Sequence, residues 1–100
     1  MDTLKTAEEI TSILKEEIEK IHFVPEDVLD SADQIALRRS QLQKAMVLGN
    51  NEKSKTKIVF ATKEGLKKVE TTVWAIHDDE VELKAGIHIP IHAICEVILL

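Results

Sequence analysis

His88, His92 and Cys95 stand in an H-x3-H-x2-C spacing, the stretch of this chain whose residue types come nearest to a zinc site. One ion needs its ligands to converge on a single point about 2 Å from each donor atom. On one continuous strand over 87–95 the two histidines would share a face but lie ~13 Å apart at 3.3 Å per residue, too far for one metal. Pro90 between them permits a turn that shortens this gap, but the same turn sends Cys95 toward the interior. No fourth ligand follows, because His77 belongs to another loop. The expectation is no metal, with Cys95 buried and inert.

Other chemistries are poorer matches. A nucleophilic Cys95 needs a base and a third residue to orient that base, and only His92 is near. Asp78-Asp79-Glu80 lacks the alternating ligands and glycine of a calcium loop and reads as a solvated hairpin. The three glycines, Gly49, Gly65 and Gly86, stand singly at predicted turns, so no loop cradles a phosphate. The sequence therefore predicts a non-enzymatic protein with no catalytic residue, no cofactor and no identified small-molecule substrate.

Charge carries more. The formal net charge of −5 hides a division along the chain. Residues 1–37 hold three lysines against ten acids, and residues 69–100 hold Lys84 against six. Between them, Arg38, Arg39, Lys44, Lys53, Lys55, Lys57, Lys63, Lys67 and Lys68 face only Glu52 and Glu64. Fields act within a Debye length of about 8–10 Å, so this middle third can meet a polyanion despite the acidic total. The candidate polyanion- or partner-binding set is Arg38, Arg39, Lys44, Lys53, Lys55, Lys57, Lys67 and Lys68. Lys55 and Lys57 would meet Lys67 and Lys68 across a hairpin. Acidic segments of the same chain, or of a second copy, could neutralise this surface instead. Trp74 reads as a packed structural residue, with a contact anchor as the alternative.

These residues must be held by one domain over 1–100, with a helical segment over 1–49 and a small barrel over 50–100. The 44% of apolar residues includes only 3% aromatics, so the core is built from Ile, Leu, Val and Ala. Leu4, Ala7, Ile10, Leu14, Ile18 and Ile21 make one narrow stripe, which predicts an amphipathic first helix over 3–22. Pro25 interrupts it. Ser31 with Gln34 opens a second helix through Ile35, Leu42, Ala45 and Met46 to about Leu48, where Gly49-Asn50 supplies a left-handed stop. Five strands follow: one around Lys57–Ala61, a longer run over Val69–Ile76, then Val81–Leu83, Ile87–Ile89 and Cys95–Leu99. Pro90 separates the last two, with a single helical turn at 90–93.

The fold class expected is α+β: two N-terminal helices followed by a five-stranded SH3-like or Sm-like small β-barrel. The order strand, long bent strand, hairpin, Gly86, short strand, turn at Ile89–Ile94 and final strand resembles those barrels. It is also similar to the terminator-protein inhibitor family of that class. A small bacterial family with Leu-Gly-Asn, Val-Glu-Thr-Thr-Val-Trp and Ile-Pro-Ile motifs is suggested by Leu48–Asn50, Val69–Trp74 and Ile89–Ile91. The resemblance covers residues 48–99; it implies a barrel and carries no catalytic residue. The chain departs from nucleic-acid-binding barrels by lacking exposed aromatic platforms, which argues against carrying RNA binding over from the resemblance.

The leading functional expectation is an interaction or regulatory module whose helices dock on a protein partner or a second copy. Leu4, Ile10, Leu14, Ile18 and Trp74 would be the interface anchors. The alternative is a weak nucleic-acid binder using the basic 38–68 face. The N-terminus lacks a cationic stretch followed by an apolar run, no stretch approaches the ~20 apolar residues of a membrane span, and the lone cysteine excludes an internal disulfide. A cytoplasmic protein without a membrane partner is expected.

Overall fold

The computed structural model describes residues 10–100. One long helix and seven strands build it, the strands divided between two sheets. The chain starts with β1 (Thr11–Ser12), a 3-10 helix over Lys15–Lys20 and an irregular segment, then α1 (Ala32–Glu52). β2 (Thr56–Thr62), β3 (Gly65–Thr71), β4 (Val73–Ile76), β5 (Glu80–Leu83), β6 (Ile87–Pro90) and β7 (Ile94–Leu99) follow. The larger sheet has the order β1-β3-β2-β7 and the smaller β4-β5-β6.

The α+β class holds, but two N-terminal helices and a closed barrel do not. Residues 3–9 of the expected first helix, Leu4 among them, lie outside the described residues. Its remainder splits. Thr11 and Ser12, poor helix formers, pair in parallel with Lys67 and Lys68, covering an edge of β3 that would otherwise be open. The 3-10 helix has three residues per turn, so Ile18 and the following Ile21 stack on one side, facing the core.

The long strand expected over Val69–Ile76 breaks at Thr72. Pairing of β3 with β2 ends at Thr71↔Thr56, and pairing of β4 with β5 begins at Val73↔Leu83. The Thr72 carbonyl accepts instead from the Lys84 N–H at 2.9 Å. The ladder thus passes from one sheet to the other rather than continuing round a barrel. The turn after Pro90 is a 3-10 helix over Ile91–Ala93 and leads straight into β7.

Alternation along the strands fills the core. Ile58 and Phe60 of β2 meet Val69, Val97 and Ile94 on one face, and Val73, Val81, Leu83, Ile87 and Ile89 line the second sheet. Leu42 and Ala45 of α1 close the cluster with Ile18.

α1 begins as expected: the Ser31 side chain accepts from the Gln34 N–H. It does not stop at Gly49. It runs to Glu52, and the left-handed cap is Lys53, at φ 56°. Gly49 is needed for a different reason. A Cβ there would sit 2.5 Å from the Val73 carbonyl oxygen and 2.9 Å from Thr72 Cγ2, so only glycine lets the helix lie this close to β4.

Candidate functional site

The middle third of the chain does not form one basic patch. Arg38 is 6% exposed, and its two terminal nitrogens grip both Asp27 oxygens at 3.0 and 2.8 Å. A third bond reaches the Ile94 carbonyl at 3.0 Å. Arg39 donates to the Asp78 carbonyl at 3.3 Å, across to the β4–β5 hairpin. Lys44 lies beside Val47, Leu48 and Leu99 in an apolar groove. Lys57 is opposite Glu70, and Lys68 is opposite Val59. Lys67 pairs with Phe60 and so projects to the other side of the sheet from Lys68. Alternation therefore separates Lys67 from the rest of the expected cluster but leaves Lys57 and Lys68 on one face of the sheet, with Glu70 between them.

The anchor stripe is also dispersed. Ile18 is 2% exposed within the protein's own core, and Ile10 is half-buried. Leu14 is open to solvent at 67%.

Two members of the basic set do converge, on a residue read as packed. Lys53, just past the end of α1, and Lys55, just before β2, line a hollow of about 320 Å³ with Gly49, Asn50, Thr72, Trp74 and Lys84. Trp74 is 44% exposed. It stands at an irregularity in the β4–β5 ladder, where the register shifts between Val73 and Ala75. A bulge of this kind turns a side chain away from the regular alternation. The close approach permitted by Gly49 brings the end of α1, and Lys53 with it, against this strand. The Lys84 N–H bond to Thr72 fixes the third lysine beside the same wall.

No acidic residue lines the hollow. Among the described residues, none of the three ammonium groups is in a salt bridge and no cation lies over the Trp74 ring. Glu82 of β5 accepts from His77 Nε2 at 3.1 Å. Three lysines and a half-exposed indole thus line one hollow, a means of holding an anion next to a flat apolar group.

Lys84 and Asn50 are not among the candidate site residues that the sequence singles out. Lys84 is hidden as the only base in an acidic third. Counting outward from Ile76↔Val81 puts Lys84 opposite Val73, and the register shift at the bulge moves it one residue further, beside Thr72.

The H-x3-H-x2-C residues go to separate partners. His88 Nδ1 meets Glu80 at 2.9 Å and its ring stacks on His77 with centroids 5.7 Å apart. His92 donates from Nε2 to the Val24 carbonyl at 2.7 Å, fastening the segment before α1. Cys95 is half-buried at a bulge between β7 and β2, in a cleft of about 210 Å³ beside Leu37 and Arg38. Burial pushes its thiol up from the ordinary value, disfavouring the thiolate. No group of three or more His, Cys, Asp or Glu among the described residues is placed to hold a metal ion. No helix among them is long and apolar enough to cross a membrane.

Comparison with protein-family models, curated proteins and solved structures returns no match. The resemblance of residues 48–99 to small barrel families rests on its motifs alone.

Proposed function

We propose that this chain is a non-enzymatic binding module whose ligand is a polyanion, with a nucleic-acid backbone held at the hollow between the end of α1 and β4. The observation that carries this reading is the convergence of Lys53, Lys55 and Lys84 on one unshielded wall. Three lysines can displace counterions from three phosphates, and the gain is entropic and sequence-independent. The docking of an N-terminal helix on a protein partner has less support. Residues 10–22 form no α-helix, and Ile18 and Ile21 of its stripe pack on the core.

The test is an anisotropy titration of a labelled oligonucleotide at rising salt. Three phosphate contacts predict a slope of log K against log salt of about −2, and a loss of roughly twentyfold between 50 and 200 mM. Charge reversal of Lys53, Lys55 and Lys84 should abolish binding, whereas reversal of Lys57, Lys67 and Lys68 should weaken it far less. Absence of binding at ~50 mM salt, or equal loss in the two variants, would overturn the proposal.

A further inference from the structure

The lysines account for a phosphate backbone but leave Trp74 unexplained. The indole is the largest apolar side chain in the sequence, and burial would favour it. The fold instead leaves it 44% exposed, at a bulge, in the hollow that the three lysines line. Its ring is not stacked on another aromatic ring among the described residues. A flat apolar face beside phosphate-binding cations is complementary to an unpaired base on a sugar–phosphate chain.

A duplex cannot offer that face. Its bases are stacked on one another, and only groove edges and backbone reach the protein surface. A simple polyanion without bases would use the lysines and leave the indole unchanged.

We infer that the ligand of this site is single-stranded nucleic acid, with one unpaired base laid on Trp74 while its flanking phosphates meet Lys53, Lys55 and Lys84. This rests on the polyanion reading above and deepens it. Asn50, which also lines the hollow, carries an amide donor and acceptor of the kind that pairs with a base edge. Gly49 keeps the adjoining wall free of a side chain.

Trp74 is the chain's only tryptophan, and there is no tyrosine, so its emission reports this site alone. The full chain is titrated at ~50 mM salt with an oligodeoxythymidylate of roughly eight nucleotides, the matched duplex, inorganic polyphosphate and an oligoglutamate peptide. The single strand should quench the emission and bind about tenfold tighter than duplex, with polyphosphate binding without comparable quenching. In anisotropy, Trp74→Leu should lose about tenfold or more in affinity for the single strand but keep its affinity for polyphosphate. Trp74→Phe, which keeps an aromatic face, should retain most of the binding and guards against a folding artefact.

If duplex or polyphosphate binds as tightly as the single strand and Trp74→Leu changes nothing, stacking is refuted and the polyanion reading survives. Preference for oligoglutamate overturns the nucleic-acid assignment. If none of the probes binds, both proposals fall.

Discussion

The two ends of α1 use basic residues in opposite ways. Near its start, Arg38 is sealed against β7, with its guanidinium divided between Asp27 and the Ile94 carbonyl. Past its end, Lys53 stands beside Lys55 and Lys84 around a half-exposed indole. Both come from the same strongly basic stretch, yet one holds the fold and the other is available to a ligand. Side-chain chemistry helps to explain the difference. A planar guanidinium can satisfy a carboxylate and a carbonyl together inside the protein, whereas an ammonium is strongly hydrated and favours the surface. Basic density along a sequence is therefore a poor guide to where a polyanion binds unless the partners of each base are known.

Removing Arg38 should give the largest effect. Arg38→Ala takes away three hydrogen bonds, leaving Asp27 only the Leu29 N–H and removing the side-chain donor to the Ile94 carbonyl, at a cost of about 3 kcal/mol in urea unfolding. A loss below ~1 kcal/mol would place Arg38 with ordinary surface charges and erase the contrast. Gly49→Ala attacks the other end. Its methyl group would meet the Val73 carbonyl oxygen at 2.5 Å, and overpacking of this kind costs about 2 kcal/mol. The same change should tilt Lys53 away from Trp74 and weaken oligonucleotide binding. An unchanged melting temperature would show that the helix need not lie so close.

Acid should weaken the first end through Asp27. Its hydrogen bond from Arg38 is the main cause holding this carboxyl below the ordinary value of 3.8; the Leu29 N–H assists, and partial burial opposes. A depressed folded-state value means the stabilisation is present above that ordinary value and disappears as pH falls through the lower folded one. Asp27→Asn should flatten this part of the stability–pH curve below pH 3.8, and an identical curve would refute the link. The smallest change expected is a gain. Lys53 adopts φ 56°, where glycine is preferred, so Lys53→Gly should add about 0.5–1 kcal/mol while weakening oligonucleotide binding. Stability and binding moving in opposite directions at one residue would mark that end as shaped for a ligand.

Much of the local structure was legible. The Ser31 cap, the hairpin turn before Gly65 and the turn after Pro90 all follow from short-range chemistry. So does the alternation that places Ile58 and Phe60 together in the core. The candidate site was only partly legible. The sequence marks Lys53, Lys55 and Trp74, but in different roles, and gives no sign of Lys84. Over residues 10–22 the first helix is absent, because its narrow stripe suits a 3-10 turn with Ile18 and Ile21 inward equally well. Pairing of Thr11 and Ser12 with β3 decided between them.

The sequence by itself determined where regular elements start and turn, since caps, prolines and period-two alternation act over a few residues. It also concentrated positive charge in the middle third. Tertiary structure alone decided which of those charges remained available. Arg38 meets Ile94 across 56 positions of chain, and Gly49 approaches the Val73 carbonyl closely enough to exclude a side chain. The Lys84 bond to Thr72 is likewise set by strand register. Contacts at such separations arise only when the packed core selects one register and one helix position, and that selection buried Arg38 and left Trp74 among lysines.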